Sequence, residues 1–326
     1  MPKVAVSDIE ETSAQALRAH GAAPWIAAEV ARAVAKAEAL GNVICGLYYL
    51  ESYCLQLRSG RVRGDVEPVV ERPRPGFVRV DANFGFAQPA FTRGLPLALE
   101  AARECGTACL AVGHAHTCTS LGYFTEQIAQ AGLIGMGFTN ASAIVAPPGG
   151  KSRILGTNPF AFSAPDGAGG LAIQFDFSTA AVALGKITMA KAAGRSIPPG
   201  WAVDAEGNPT TDPDEALKGA LVSAAGYKGW GLGLMVEILA AGMTGGVNSL
   251  DVKPLKAPEG TPHDLGQFYI LIDPALSPAF AERLSRLAEA IAADEGARMP
   301  GANRVPAEEV EVPDALWQLT TDLAGA

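Results

Sequence analysis

Strand-like and helix-like segments alternate along this chain of 326 residues. Short apolar or alternating runs predict strands at 76–90, 109–117, 133–142, 171–179 and 263–274. Apolar residues at helical spacing predict helices at 95–104, 123–131, 229–246 and 278–296. Between residues 195 and 215 the many glycines and prolines predict a long loop. Such interleaving indicates an α/β or α+β fold.

Two further helices are predicted before the first strand. In IAAEVARAVAKAEALG (26–41) the apolar residues recur at helical spacing, and Gly41 is a good helix terminator. A second helix is predicted over Leu47–Ser59, with Gly60 ending it. The stretch EPVVERPRPG (67–76) is rich in proline, which predicts a connector between two domains.

Charge and motif content exclude several classes of function. The net charge of -9 is unfavourable for binding nucleic acid or an anionic membrane, and no apolar run is long enough to span a bilayer. GWGLGL (229–234) is closest to the dinucleotide-binding pattern G-x-G-x-x-G, but its glycine spacing differs and no strand directly precedes it. The five cysteines lack paired spacing and the N-terminus lacks signal-peptide features, so we expect a cytoplasmic protein with reduced thiols.

The histidines do not predict a metal site. His114 and His116 alternate on an extended segment and would point the same way. A third ligand is not evident in the sequence, and zinc sites normally require at least three protein ligands. We therefore expect no bound metal.

Three short motifs offer groups that suit a cofactor or a substrate. In GTNP, Thr157 and Asn158 present a hydroxyl and an amide beside the rigid Pro159, although the same groups could cap their own turn. Lys228 stands among glycines before a helix, which favours anion binding, unless it is a plain surface lysine. Asp176 follows an apolar strand and could orient a catalytic group, hold a ribose or cap the next segment.

Longer stretches carry a resemblance to a known family. Residues 133–165, 175–187, 197–213 and 224–232 together resemble the malate/L-lactate dehydrogenase type 2 family, and the resemblance covers nearly the whole chain. That family consists of NAD(P)H-dependent oxidoreductases that are unrelated to Rossmann dehydrogenases. The resemblance implies NADPH or NADH as the cofactor and a small-molecule substrate, such as a 2-oxo acid or a cyclic 2-imino acid. It also implies a homodimer with active sites near the subunit interface.

The resemblance further implies an α/β fold of a particular kind. It predicts a non-Rossmann, NAD(P)-binding mixed sheet and a helical domain formed from both termini. We place the helical domain at 1–75 and 275–326, and the NAD(P)-binding and substrate domain at 76–274.

The early family motif G-x-x-S-H-G-x-x-R-x-x-x-Y falls on residues 41–53 with three departures. Its glycines and Tyr53 match, but its serine, histidine and arginine are replaced by Ile44, Cys45 and Tyr49. In the family the histidine is the presumed general acid for the carbonyl oxygen, and the arginine holds the substrate carboxylate. The candidates for a replacement anchor are Lys228, Arg58 and Arg61. The alternative is that no cation replaces the arginine, and that the substrate lacks a carboxylate or carries it elsewhere.

A second family motif, S-x-H-F-G, falls on residues 115–119. The family histidine becomes Thr117 here, and His116 lies one position away. The imino-acid reductase branch is more similar, because it tends to carry S-H-H-F at this point and the run L-R-S-G-R-V, which is intact as Leu57–Val62. His116 is therefore the best candidate for handling a proton, with an ordinary pKa of about 6.5. A neutral Cys45 thiol is a weak donor, and the phenol of Tyr48 or Tyr49 is an alternative.

These departures predict an NAD(P)H-dependent reductase of a small 2-imino acid or cyclic imine. Ketone reduction creates an alkoxide, for which a proton donor is worth roughly 10²–10⁴-fold. A protonated imine instead accepts hydride to give a neutral amine directly. Two alternatives are a 2-oxo acid/2-hydroxy acid (malate/lactate-type) dehydrogenase with a relocated general acid, and a cofactor-binding pseudoenzyme.

The predicted site residues fall into three groups by role. The predicted catalytic residues are His116, Cys45, Tyr49 and Asp176. The predicted cofactor-binding residues are Thr157, Asn158, Pro159, Asp176, Lys228, His116 and Thr117. The predicted substrate-binding residues are Gly46, Tyr48, Tyr53 and Asn140.

Overall fold

The computed structural model describes residues 1–302 and 304–325. The helices are α1 (Val6–Ala19), α2 (Pro24–Ala39), α3 (Leu50–Ser59), α4 (Ala87–Cys105), α5 (Gly122–Gln130), α6 (Leu184–Ala192), α7 (Pro213–Lys218), α8 (Tyr227–Glu237), α9 (Phe280–Ala292) and α10 (Asp314–Ala324). The strands are β1 (Lys3–Ala5), β2 (Val69–Arg74), β3 (Phe77–Asp81), β4 (Thr107–Ala115), β5 (Ile134–Thr139), β6 (Phe160–Pro165), β7 (Leu171–Phe177), β8 (Ala202–Val203), β9 (Pro209–Thr210), β10 (Ala220–Leu221), β11 (Leu265–Ile272) and β12 (Glu309–Glu311).

A seven-stranded mixed sheet forms the centre of the protein. Its spatial order is β2-β3-β4-β11-β5-β6-β7. The pair β3–β4 is parallel, with α4 as its crossover, and the other neighbours are antiparallel. One face of the sheet packs against α4 and α5 through a large apolar cluster that includes Phe91, Phe124 and Tyr269. The mixed α/β architecture predicted from the sequence is confirmed.

Strand β11 connects two distant parts of the chain. Although it lies near the C-terminus, it pairs with β4 on one side and β5 on the other, so Tyr269 stands opposite both Leu110 and Gly137. Residues 265–269 of this strand are buried from solvent. His263, just before β11, is therefore brought back to the segment that follows β4, where its ring stacks on that of His116.

The proline-rich stretch at 67–76 is not a connector, and that prediction was wrong. Residues Val69–Arg74 form β2, an edge strand that pairs with β3. Pro73 is tolerated because an edge strand does not need every backbone N–H for pairing. Residues 69–74 therefore belong to the central sheet rather than to the helical domain.

The two ends of the chain meet in a helical layer. Strand β1 pairs antiparallel with β12, and α1 contacts α2 and α10. Buried side chains of α1, α2 and α3 form one apolar cluster, which includes Ile9, Val30 and Tyr53. Helix α9 also lies in the predicted helical domain, but none of its residues is buried and it does not join this cluster.

A third unit occupies the segment predicted as a long loop. Strands β8, β9 and β10 form a small sheet that packs with α6 and α7 around Ile187 and Leu221. Helix α8 follows and continues as a π-helical turn, Ile238–Gly242. Of the helices in residues 1–302 and 304–325, none has the length and apolar character required to cross a membrane.

Candidate active site

A buried glutamate fixes the turn that carries Cys45 and Tyr49. Glu38 of α2 is 4% exposed, and its carboxylate accepts a hydrogen bond from the backbone N–H of Leu47 at 2.7 Å. A β-carbon at Gly46 would overlap this carboxylate, so the turn has room for glycine and little else. Cys45 and Tyr49 are consequently held in fixed positions relative to α2.

Replacing Gly46 by alanine is expected to destabilise the protein by about 1–3 kcal/mol, because the added methyl group must displace a packed, hydrogen-bonded side chain. Denaturant unfolding measures this change. Gly185→Ala is the matched control, since a β-carbon there has open space and should leave the free energy of unfolding unchanged or slightly raised. Equal stability of the two variants would contradict the role assigned to Gly46.

Cys45 and Asp176 are close enough to interact, although they are far apart in sequence. Burial raises the pKa of the Cys45 thiol to about 12, and the nearby Asp176 carboxylate adds to the rise. A hydrogen bond from the Asn42 side chain acts in the opposite direction. At neutral pH the thiol is therefore protonated and uncharged.

The Asp176 carboxylate lies at the end of β7 and at the N-terminus of α5. Its Oδ2 accepts a hydrogen bond from the backbone N–H of Gly122 at 2.8 Å, and a helix N-terminus favours negative charge. Burial raises its pKa above the ordinary 3.8, while the Gly122 hydrogen bond and the Arg304 charge oppose the rise. A carboxylate in such a poorly solvated position attracts a neighbouring cation more strongly than one in water does.

Tyr49 and Tyr53 lie close to Cys45, and their phenols are weaker acids than an ordinary tyrosine. Their ring centroids are 5.8 Å apart. Burial raises the pKa of Tyr49 to about 12 and that of Tyr53 well above 10. Because a general acid works best when its pKa lies near the operating pH, neither phenol is a good proton donor at neutral pH. The neighbouring Cys118 thiol is buried, and its pKa is likewise raised.

His116 is enclosed by aromatic rings rather than open to a cleft. It is 1% exposed, it stacks on His263 with ring centroids 4.1 Å apart, and the rings of Tyr53 and Phe86 cover its edges. Burial, followed by the charges of His263 and Arg61, lowers the pKa of His116 well below 6.5. At neutral pH the imidazole is therefore uncharged.

A hydrogen-bond chain connects His116 to the loop before β11. The Gln56 amide nitrogen donates to the Ser52 hydroxyl at 2.8 Å and to the Leu255 carbonyl oxygen at 3.1 Å, which turns its Oε1 towards His116. His116 Nε2 lies 3.0 Å from that oxygen and so carries the proton that it donates. The Nε2 proton of His116, a predicted catalytic residue, is thus donated to another side chain of the protein.

The GTNP motif, the FDFST motif and α8 are brought together in one region. The hydroxyl of Ser178 donates to the Thr157 carbonyl oxygen at 3.1 Å, which ties the first two motifs to each other. Asn158 is fully buried, and its Nδ2 donates to the Gly233 carbonyl oxygen at 3.1 Å and to the Glu237 carboxylate at 2.8 Å. The Asn158 amide therefore holds the loop against α8, and the partly exposed Thr157 and Pro159 flank it.

Asn140 and Thr117 also use their side chains within the protein. Asn140 is 2% exposed, its Nδ2 donates to the Val247 carbonyl oxygen at 2.8 Å, and its Oδ1 accepts from the backbone N–H of Gly266 at 3.3 Å. The Thr117 hydroxyl is buried and accepts from the backbone N–H of Thr119 at 3.5 Å. Both residues shape the loops around the site.

The N-terminus of α8 combines an exposed lysine with free backbone N–H groups. Lys228 is exposed in the first turn of this helix, where backbone N–H groups point outwards without helical partners. Gly231, one turn into the helix, has no atom within 4 Å of the position that a β-carbon would occupy, which leaves room for close approach. These residues fit a phosphate or pyrophosphate.

Within residues 1–302 and 304–325, no group of His, Cys, Asp and Glu side chains is arranged to hold a metal ion.

Sequence reasoning missed one cation, which lies beside Tyr48 and Tyr49. The Nζ of Lys256 lies 3.1 Å from the centroid of the Tyr48 ring and 4.6 Å from that of Tyr49. Lys256 lies in the loop before β11, about two hundred positions from these tyrosines, and no local motif marks it. Only the pairing of β11 with the middle of the sheet could have indicated its position.

Comparison with known proteins gives relatives over nearly the whole chain. The chain is 40% identical over 319 residues to the (2R)-3-sulfolactate dehydrogenase (NADP(+)) of Chromohalobacter salexigens, covering 96% of this chain and 95% of the relative. It is 37% identical over 326 residues to the Delta(1)-pyrroline-2-carboxylate reductase of Ancylobacter novellus, covering 97% and 95%. The crystal structure of delta1-piperideine-2-carboxylate reductase from Pseudomonas syringae superposes with a TM-score of 0.92 at 34% identity, covering 99% of this chain and all of that one.

Residues 4–318 match the malate/L-lactate dehydrogenase family, so the match includes the helical layer, the central sheet and the small third unit. The family predicted from motifs at 133–232 is thereby confirmed, and so is the prediction of an enzyme. The chain belongs to the malate/L-lactate dehydrogenase family, and it is an NAD(P)-dependent oxidoreductase.

Proposed function

We propose that this enzyme reduces a cyclic 2-imino acid with NAD(P)H, by hydride transfer to the carbon of the C=N bond. The observation that carries the proposal is the pair Cys45 and Asp176. The position of the family histidine holds a thiol with a pKa of about 12, beside a poorly solvated carboxylate. Such a pair suits a cationic substrate better than one that must receive a proton.

The chemistry of the two substrate classes differs in charge. A protonated cyclic imine is positively charged, and hydride addition neutralises it without any proton from the protein. We propose that Asp176 faces this cation and favours the protonated form of the substrate, which is the reactive one. Cys45 and Tyr49, both uncharged at neutral pH, would then shape the pocket and keep water away from the reacting carbon.

The cofactor supplies the hydride when it is bound. We propose that the first turn of α8, with Lys228, holds its phosphates, and that Thr157 and Pro159 border the same groove. Asn158 would act by fixing this groove to α8, through its hydrogen bonds to Gly233 and Glu237. The sequence does not discriminate between NADH and NADPH; the relative named for NADP(+) supports NADPH.

Replacing Lys228 by alanine is expected to raise KM for NADPH about 10-fold or more, because a charge-assisted contact to phosphate would be lost. The turnover number at saturating cofactor should change much less. Initial rates over a range of NADPH concentrations measure both constants. Lys218→Ala, which removes an exposed lysine paired with Glu215 on α7, is the control and should leave KM unchanged. An unaltered KM in the Lys228 variant would place the phosphates elsewhere.

We further propose that His116 positions the site rather than donating a proton. Its neutral, enclosed ring and its hydrogen bond to Gln56 support this role. The chain from His116 through Gln56 reaches Leu255, so His116 would act by fixing the loop that carries Lys256.

A second candidate function is reduction of a 2-oxo acid. The observation behind it is the 40% identity to a sulfolactate dehydrogenase, set against relatives and a solved structure that are named as imino-acid reductases. In that case another group must replace the family histidine as proton donor. The experiment below separates these two candidate functions.

Loss of nicotinamide absorbance tests the proposed function. NADH and NADPH are offered separately to purified enzyme, with Δ1-pyrroline-2-carboxylate and Δ1-piperideine-2-carboxylate in one set and pyruvate, oxaloacetate and sulfopyruvate in another. Turnover confined to the imines is expected. Turnover confined to the ketones would refute the proposal, and so would cofactor binding without turnover of either set.

We also propose a cytoplasmic homodimer. Large apolar side chains remain exposed along α8 and the turn after it, with Tyr227 73% and Ile238 64% exposed. A second copy of this chain is a suitable cover for them, because the proposed phosphate groove begins on the same helix. Sedimentation velocity should give twice the chain mass.

The free cysteines support the cytoplasmic part of this proposal, because a reducing compartment keeps thiols free.

A further inference from the structure

Lys256 is a charged side chain beside the proposed substrate pocket. Besides its position over the Tyr48 ring, its Nζ donates a hydrogen bond to the Tyr48 carbonyl oxygen at 3.1 Å. The lysine ion pairs within residues 1–302 and 304–325 belong to Lys36, Lys191 and Lys218. The positive charge of Lys256 is thus held against two aromatic rings without a carboxylate partner among the described residues.

The Lys256 ammonium lies beside the position where the family has an arginine and this chain has none. Tyr49 occupies the family position of the arginine that holds a substrate carboxylate, and Lys256 Nζ is 4.6 Å from its ring centroid. Tyr49 in turn contacts Tyr53 and lies close enough to Cys45 for the thiol to affect its pKa. Asp176 influences the pKa of Cys45, Cys45 influences that of Tyr49, and Lys256 lies over the ring of Tyr49. A carboxylate and an ammonium are therefore connected through two neighbouring uncharged side chains.

The loop that carries Lys256 is firmly attached to α3 and the residues after it. Gln56 donates to the Leu255 carbonyl oxygen at 3.1 Å, and the Ser59 hydroxyl donates to that of Pro258 at 2.7 Å. The buried Arg61 guanidinium donates to the carbonyl oxygens of Ala257 and Thr261. Lys256 is thus presented by a backbone that is fixed on both sides, as a preorganised binding group requires.

The other candidate cations are less suitable. Arg61 is 1% exposed and donates its N–H groups to the loop carbonyls. Arg58 is exposed in the last turn of α3, and no contact ties it to Tyr48 or Tyr49 among the described residues. Lys228 belongs to the proposed phosphate groove at α8.

We propose that Lys256 anchors the carboxylate of the imino acid, in place of the arginine that is Tyr49 in this chain. This inference rests on the proposed function. The ammonium group binds the carboxylate while the rings of Tyr48 and Tyr49 flank it, and Asp176 faces the ring nitrogen at the opposite end. A 2-imino acid in its protonated form carries both charges, so the pocket matches it in sign at each end.

Substrates with and without a carboxylate test the inference. The kcat/KM of wild type, Lys256→Ala and Lys256→Arg is measured with Δ1-pyrroline-2-carboxylate and with 1-pyrroline, which lacks the carboxylate. Lys256→Ala should lower kcat/KM about 10–100-fold for the carboxylate substrate, mainly through KM, and less than about 2-fold for 1-pyrroline. Lys256→Arg should recover most of the loss. Lys253→Ala, an exposed lysine on the same loop, is the control and should match wild type.

Several results would overturn the inference. An equal loss for both substrates would mean that Lys256 acts on the fold of the loop, and no loss for either would mean that it does not contact substrate. If wild type reduces neither imine, the proposed function fails by itself. The dissociation constant of pyrrole-2-carboxylate, measured by calorimetry on the same variants, then decides: weaker binding in Lys256→Ala alone supports the anchor, and unchanged binding refutes it.

Discussion

Replacing Asp176 by asparagine should lower kcat/KM for a cyclic 2-imino acid about 10²–10³-fold, the usual effect of removing one preorganised electrostatic group from an active site. The asparagine Oδ1 can still accept the Gly122 N–H hydrogen bond, so the geometry at the N-terminus of α5 is kept. What disappears is the negative charge that favours the protonated imine. Steady-state kinetics with Δ1-pyrroline-2-carboxylate measures the loss.

The pH dependence of stability and of rate separates this role from a structural one. Burial raises the folded-state pKa of Asp176 above 3.8, so the native state prefers the neutral acid. The stability that this preference contributes is present below the unfolded-state pKa and is lost as the pH rises through the folded-state pKa. An asparagine side chain does not ionise and would not lose this stability. Asp176→Asn should therefore gain stability relative to wild type as the pH rises above the unfolded-state pKa of about 3.9. The acid limb of kcat/KM that reflects ionisation of Asp176 should vanish in the same variant. A variant that is inactive because it is less stable at neutral pH would contradict this account.

Restoring the family pair should give ketone chemistry to the enzyme. In Ile44→Ser/Cys45→His, an imidazole would stand where the thiol now lies, and the nearby Asp176 carboxylate would stabilise its protonated form. We expect turnover of a 2-oxo acid to rise roughly 10²-fold or more, the contribution of a well-placed general acid. The rate of NADPH oxidation with sulfopyruvate or pyruvate measures the gain.

Cys45→Ser is the matched control for the restored pair. It changes the side chain at the same position without supplying a group that titrates near neutral pH, so ketone turnover should stay at the wild-type level. Equal gains in both variants would show that the size of the side chain at position 45, rather than proton donation, limits the turnover of ketones. No gain in the histidine variant, with its fold intact, would contradict the explanation for Cys45.

Local patterns predicted the elements of the fold better than their arrangement. The apolar spacing in 26–41 and the alternating run before Asp81 correctly indicated α2 and β3. By contrast, α4 begins at Ala87, well before the predicted Leu95, because Pro96 lies inside it and misleads a pattern-based boundary. The insertion of β11 between β4 and β5 is a long-range choice that no window of sequence contains.

In the candidate site, too, local motifs indicated individual residues but not their surroundings. Cys45, Tyr49 and Asp176 were indicated by motif positions, and the structure brings them close together. His116 was chosen because its ordinary pKa suits proton transfer, but burial and two neighbouring groups change that pKa, and burial is invisible in one sequence. Lys256 was missed because its partners, Tyr48 and Tyr49, come from the other end of the chain.

Direct competition between an imine and a ketone tests the central claim most closely. Equal concentrations of Δ1-pyrroline-2-carboxylate and sulfopyruvate are mixed with enzyme and limiting NADPH, and the two products are quantified by NMR, which gives the ratio of kcat/KM values for the two substrates. We expect proline to form in at least about 100-fold excess, because Asp176 favours the cationic imine, whereas the pKa shifts of Cys45, Tyr49 and His116 make them poor proton donors to the ketone at neutral pH. Sulfolactate as the main product would contradict it.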